Sequence, residues 1–251
     1  MKFKLVALLK DFVLFSRLPL LLAFLYRPLK FLVNTIGISK WIKKYHSGFS
    51  FNDFYRGARK YSDREKLYQH VIDTKRLAEE QIHYLEFGVC GGISFRWWLE
   101  HNTHPASRFF GFDTFEGLPE NWFLLRKGDL NAEEPELKDS RGQFIKGLFQ
   151  HTFWNFLQTN YTLPEAGATL RKVIHMDADL FSSTLFVLTS IAPYLNKGDI
   201  IFFDEFNVPN HEYAAWEDFV SSYYVDFEVL GAVNNYFQVA VQYNGMGIFR
   251  K

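Results

Sequence analysis

The chain has 251 residues, enough for one sizeable domain with an appendage or for two small ones. Apolar residues at 48% and charged residues at 22% exclude a disordered or collagen-like chain, and the single cysteine, Cys90, excludes a disulfide framework and a cysteine-based zinc site. With 28 basic and 28 acidic groups the net charge is zero, which argues against wholesale nucleic-acid binding.

That zero conceals two unlike parts. Residues 1–45 carry nine Lys/Arg and only Asp11, a net +8, whereas residues 46–251 carry 19 basic and 27 acidic groups. Within the first part, Phe12–Val33 is rich in Leu and Phe, but Arg17, Arg27 and Lys30 interrupt it and Pro19 and Pro28 punctuate it. Its longest charge-free run beyond Arg17, Leu18–Tyr26, is far short of the roughly 20 residues a spanning helix needs. No small-residue cleavage site follows, so a secretory signal is not expected. Two readings stay open: an arm lying in an anionic membrane interface, or an arm packed on the rest of the protein or on a partner subunit. The expected location is the cytoplasm, with peripheral attachment to the inner face of a membrane in the first case.

Residues 46–80 read as a polar helical lead-in. From residue 81 onward short apolar runs alternate with helix-length stretches, the pattern of an α/β domain. Ile82–Phe87, Arg108–Asp113, Lys172–Asp177 and Asp199–Asp204 read as buried strands. Gly92–His101, Leu148–Asn160, Ser182–Leu195 and His211–Tyr224 read as the helices between them. Residues 116–142 read as a long loop that serves as a lid or binding loop. Phe227–Val233 and Tyr236–Tyr243, split at Asn234-Asn235, read as a closing hairpin. The expected fold is a doubly wound, Rossmann-like sheet of seven mostly parallel strands over residues 81–251, with a hydrophobic, basic helical arm at the amino terminus.

Three motifs sit where such a sheet binds ligands. In Glu86-Phe-Gly-Val-Cys-Gly-Gly-Ile-Ser94, glycines at a strand–helix turn allow close approach of a ligand, or simply make a tight turn. The spacing is not GxGxxG, and no Tyr/Lys pair can be placed, so a nicotinamide-dependent oxidoreductase is disfavoured. In Gly-Phe-Asp113-Thr-Phe-Glu-Gly-Leu-Pro119, the acid ending the next strand can bind a ribose diol or cap the backbone. The third motif joins His175-Met-Asp177-Ala-Asp179-Leu-Phe-Ser-Ser-Thr184 with Phe-Phe-Asp204-Glu205-Phe206. Its carboxylates can converge above the sheet, where a hard divalent ion such as Mg²⁺ would relieve their repulsion. Asp179 can equally cap the following helix. His175 reads as a core histidine and His211 as a cap or an acceptor-site group; Trp97, Trp98, Trp154 and Trp216 read as packing residues.

Taken together, EFGVCGGIS, GFDTFEGLP, KGLFQHT, HMDADLFSST and APYLNKGDIIFFDEF resemble the macrocin O-methyltransferase (TylF-like) family over about residues 80–225. The resemblance implies a class I methyltransferase using S-adenosyl-L-methionine, with Mg²⁺, on a hydroxyl of a sugar, glycan or natural product. It implies further that Glu86, Gly88 and Ser94 line the methionine and ribose part of the cofactor site and that Asp113 binds the ribose. Lys146, Gly147 and Phe149 would lie by the adenine. Asp177, Asp204 and Glu205 match the family's metal ligands, and Asp177 doubles as general base. Two positions depart from the pattern: Glu205 and His151 stand where the family usually has an Asp and an acid. Residues Asn207–Glu217 also differ, so the family's acceptor does not carry over. A homo-oligomer is compatible with the sequence. The alternative of another class is a non-catalytic, membrane-associated binding protein that retained the fold.

Overall fold

The computed structural model describes residues 2–122, 124–161 and 170–247, without the side chain of Leu18. The chain opens with helices α1 (Lys2–Ser16), α2 (Leu18–Leu21) and α3 (Tyr26–Tyr45), then α4 (Arg64–Lys75). After these come β1 (Ile82–Phe87), α5 (Ile93–His101), β2 (Arg108–Asp113), β3 (Gly142–Lys146) and α6 (Phe149–Asn160). The second half holds β4 (Arg171–Met176), α7 (Phe181–Ile191), β5 (Ile200–Phe203), α8 (Glu212–Tyr223), β6 (Val225–Val233) and β7 (Gln238–Met246).

All seven strands form one sheet in the order β3-β2-β1-β4-β5-β7-β6. The first five are mutually parallel, and β7 runs antiparallel to both β5 and β6. This is the expected doubly wound sheet, with β1 near its centre. The chain winds outward from β1 through β2 and β3, then crosses to β4, so the strand order reverses between β1 and β4. A crevice opens outside the carboxyl ends of the strands at such a reversal.

Alternation along β1 shows how the sequence builds two layers. Ile82 and Tyr84 point into a cluster with Trp98, Phe109 and Phe202, while Leu85 and Phe87 point into one with Phe112, Phe153 and Met176. Fully burying each such ring or aliphatic chain contributes roughly 1.5–3 kcal/mol. The strand β3 bridges the gap that the sequence reading leaves between the loop, which ends at Gly142, and the KGLF motif, which starts at Lys146. It is a five-residue edge strand, half-exposed, and such a strand lacks the continuous apolar run of its neighbours.

Two expectations about the first 80 residues need correction. Only Arg64–Lys75 of the lead-in is α-helical, and its Leu67, Tyr68, Val71 and Ile72 are buried in the domain core. The arm, too, divides. Ile38 and Trp41 near the end of α3 are buried, with the Trp41 ring 4.8 Å from that of Phe206. Everything before Asn34 apart from the half-buried Leu25 lies exposed where a burial can be given, including Phe3, Phe15 and Phe24, each at least three-quarters accessible. No helix among the described residues is long and apolar enough to cross a membrane.

Candidate active site

A cleft of about 390 Å³ lies at the carboxyl ends of the parallel strands. Its lining includes Gly88, Asp113, Phe149, Asp177, Asp179 and Glu205, and the long loop supplies a wall through Leu118, Trp122 and Leu130. Lys146 and Gly147 line an adjoining hollow instead.

Gly88 sets the floor. Its φ is +95°, and a Cβ added there would lie 1.8 Å from the Asp177 carbonyl oxygen. The end of β1 therefore approaches the end of β4 more closely than any side chain permits. Asp113, just across the turn, caps the backbone, one of the two roles the sequence allows. One of its oxygens, Oδ2, accepts hydrogen bonds from the Val89 and Cys90 amides at 2.7 and 2.8 Å, and Oδ1 accepts one from Phe115 at 2.7 Å. The same carboxylate faces the cleft, and its oxygens retain lone pairs for a ligand.

Glu86 and Ser94 take a different place from the expected one: both are buried and neither lines the cleft. Tyr84 donates a 2.6 Å hydrogen bond to Glu86 and pairs with His175 Nδ1 at 2.8 Å, while Tyr68 pairs with His175 Nε2 at 3.2 Å. His175 is thus the satisfied core histidine. Burial pushes Glu86 up to about 8. A carboxyl whose folded value lies above its unfolded value binds more protons in the native state, so stability falls as pH rises between about 4.5 and 8. The loss should be on the order of 3–5 kcal/mol. Glu86→Gln should flatten this slope in urea unfolding midpoints measured from pH 5 to 8; an unchanged slope would remove Glu86 as its source.

The carboxylates gather in two groupings, not in the single triad the resemblance implies. Oxygens of Asp177, Asp179 and Glu205 lie within 4.8 Å of one another, and so do ligand atoms of His175, Asp177 and Asp204. Asp177 is common to both. Burial, then the charges of Asp204 and Asp179, push Asp177 well above the ordinary carboxylate range. Burial also raises Asp179, to about 7. For Asp204 burial is outweighed by the nearby His175, whose Nε2 lies 3.9 Å from Oδ1, and by the charge of Arg64, which hold it below its usual value. Asp179 does not cap α7: the cap position is Leu180, with no side-chain hydrogen bond, and Asp179 turns back at φ +57°.

Two groups that the sequence did not mark come from upstream. Tyr61 lines the cleft and donates to Asp204; Arg64, buried at the start of α4, reaches Asp204 Oδ2 at 3.0 Å and Asp177 Oδ2 at 3.7 Å. Trp122 in the cleft wall and His211 outside the cleft lining each hold a buried ring nitrogen, Nε1 and Nδ1, with no hydrogen-bond partner among the described residues. Their rings meet edge-on at 6.3 Å. His151, in the first turn of α6, is exposed and outside the cleft lining.

Residues 85–206 match the family model described as a methyltransferase domain. No curated protein is similar enough to count as a relative. Among solved structures, the fold is similar to that of CalS11, a calicheamicin methyltransferase, with 21% identity and a TM-score of 0.55. That match covers 72% of this chain and 77% of the other. It is also similar to the O-methyltransferase NovP, with 20% identity, a TM-score of 0.52 and coverage of 73% and 79%. The chain therefore has the fold of the class I methyltransferases, and its residues 85–206 match a methyltransferase domain.

Proposed function

We propose that this methyltransferase moves a methyl group from S-adenosyl-L-methionine to a hydroxyl of a sugar, glycan or related natural product. The observation that carries this reading is the cleft itself, where Gly88, Asp113 and Asp177 meet at the strand reversal. The side-chain-free approach of Gly88 to Asp177 leaves room for an extended ligand over the turn, with Asp113 beside it for a ribose diol. Phe149 supplies an apolar wall; Lys146 and Gly147 edge the hollow beyond it, a place for the adenine. Glu86 and Ser94 brace this region from below.

The sulfonium carries an already activated methyl group, so the protein must mainly align acceptor oxygen, methyl carbon and sulfur. Asp177, at the end of β4 in the cleft, would take the acceptor's proton. Its raised affinity for a proton, caused by burial and neighbouring acids, suits a general base better than an exposed carboxylate would. CalS11 is described as a TDP-rhamnose 3'-O-methyltransferase, a sugar substrate of that enzyme. A divalent ion fits the Asp177, Asp179 and Glu205 grouping, whose donors are all carboxylate oxygens. When bound, Mg²⁺ would lower the pKa of an acceptor hydroxyl and hold it in place.

The arm completes the proposal. Its exposed Leu and Phe side chains and its net +8 suit an anionic membrane surface, the apolar groups inserted and the basic groups at the headgroups. Its root stands at the rim of the cleft. Lys30 lies 5.3 Å from the centre of the Phe181 ring, and Asn34 donates to Asn210 at 2.9 Å, next to His211. An acceptor anchored in the same membrane would meet the cleft directly. Each basic group near such a surface contributes about 1 kcal/mol, screened over about 8 Å at physiological salt. Truncation before Asn34 spares the buried Ile38 and Trp41. It should release the protein from phosphatidylglycerol vesicles in a sedimentation assay and leave S-adenosyl-L-methionine affinity within about threefold. High salt should weaken the full-length protein's binding without erasing it. A full-length protein that ignores the vesicles contradicts this part.

The acceptor class is tested with methyl-labelled S-adenosyl-L-methionine, nucleoside diphosphate sugars and isoprenoid-linked oligosaccharides. The expected product is a methyl ether identified by mass spectrometry; label on nitrogen alone would overturn the assignment.

A further inference from the structure

The long loop that walls the cleft has a second, outward side. From Asn121 to Gly128 it carries Trp, Phe and two Leu, then Arg126 and Lys127, with no acid. This stretch is a built hairpin. Trp122 and Leu125 exchange backbone hydrogen bonds at 3.0 and 2.7 Å, and the Lys127 amide donates to Asn121 Oδ1 at 2.9 Å. At its base, Leu118 N–H donates to the Asp129 carbonyl and Gly128 N–H to the Leu118 carbonyl, both at 2.9 Å. Trp122 and Leu125 line the cleft, whereas Leu124 is left 87% exposed beside the exposed Arg126 and Lys127.

Two chains of contacts set this tip beside the root of the arm. Lys30 of α3 lies against the Phe181 ring, and the next residue, Ser182, donates to Glu120 Oε1 at 2.9 Å. Asn34, one turn along α3, donates to Asn210, and the neighbouring His211 meets Trp122 edge-on at 6.3 Å. The arm and the loop therefore flank the same stretch of surface, the first turn of α7 and the lead into α8. The acids that bracket the tip are both engaged: Glu120 by Ser182, and Asp129 Oδ2 by the Arg126 amide at 2.7 Å. Among lipid headgroups an exposed leucine with a basic pair behind it gains burial and charge attraction together. One leucine flanked by two cations is far smaller than the roughly 800 Å² that a stable protein interface takes from each partner.

We infer that the loop tip Leu124–Lys127 is a second membrane contact, seated in an anionic lipid surface alongside the arm, so that the wall of the cleft borders the lipid and the acceptor enters sideways from the bilayer. This rests on the reading of the arm as a membrane contact. The loop then serves two surfaces. Its inner side, through Leu118, Trp122 and Leu125, walls the cleft, and its tip holds the cleft mouth at the headgroups.

The test places an environment-sensitive fluorophore on the full-length protein, in a Cys90→Ser background, at Leu124→Cys in one sample and at Phe15→Cys in another. With phosphatidylglycerol vesicles the emission should shift to the blue at both positions, and brominated acyl chains should quench both. Leu124→Glu should weaken vesicle binding about tenfold, the loss of one inserted leucine. Arg126→Gln/Lys127→Gln should weaken it by a similar factor at low salt and by less at high salt. Leu124 lies outside the cleft lining, so Leu124→Glu should leave S-adenosyl-L-methionine affinity unchanged. A fluorophore at position 124 that stays in water while the one at position 15 inserts would overturn this inference and leave the arm's role standing. No shift at either position would overturn both. If Leu124→Glu kept full vesicle binding but turned an oligomer into monomers in light scattering, the tip would belong to a contact with a second copy of the chain instead.

Discussion

Gly88→Ala should abolish cofactor binding and turnover, with losses of at least a hundredfold in each. The added Cβ would lie 1.8 Å from the Asp177 carbonyl oxygen, well inside any contact real atoms make. The φ of +95° compounds the effect, since a left-handed conformation costs an L-residue about 1–2 kcal/mol. No flexible side chain can yield, because the obstacle is backbone. Gly88 N–H donates to the Phe112 carbonyl and Asp177 N–H to the Phe87 carbonyl, both at 2.9 Å, so β1, β2 and β4 would all have to move. Thermal and urea unfolding should show destabilisation of roughly 3–5 kcal/mol, the size reserved for changes that strain a packed site. Gly91→Ala is the matched control. Nothing lies within 4 Å of its added Cβ, so it should bind the cofactor within about twofold of the unmodified protein. Equal losses in both variants would show that the turn is merely fragile.

Asp177→Asn should separate chemistry from binding. Loss of a positioned general base lowers turnover by about 10²–10⁴. S-Adenosyl-L-methionine affinity should change by less than about threefold, because the amide keeps the volume and the backbone contact with Gly88. Stability should hold or rise. Asp177 is repelled by Asp204, Asp179 and Glu86, and Arg64 at 3.7 Å offsets only part of that. Single-turnover kinetics and thermal melts of the same preparation check both halves. A variant with near-normal turnover would remove Asp177 from proton transfer.

How much of this was legible in the sequence differs from element to element. The strands β1, β2, β4 and β5 were placed to within a residue at each end because central parallel strands are continuous apolar runs that stop at an acid or a glycine. The hairpin was marked by Asn234-Asn235, which together with Tyr236 adopt positive φ. The edge strand β3 carried no such run. In the cleft, the carboxylates at the strand ends were visible because strand ends are visible. Arg64 and Tyr61 were not: Tyr61 meets Asp204 across 143 residues, and no local spacing records such a contact. One signal was available. Arg64 lies on the same helical stripe as Tyr68 and Val71, both buried, and a charge on an apolar stripe must find a buried partner. The weight on helix capping for Asp179 failed because the chain reverses there before α7 begins. Trp122 sits in a loop whose path only the tertiary fold defines.

The most direct test of the central claim is a calorimetric titration of the full-length protein with S-adenosyl-L-methionine, repeated on Gly88→Ala and Gly91→Ala. The expected result is saturable binding at one site, retained in Gly91→Ala and lost in Gly88→Ala. Absence of binding to the folded full-length protein, or undiminished binding to Gly88→Ala, would contradict the placement of the cofactor in the cleft between β1 and β4.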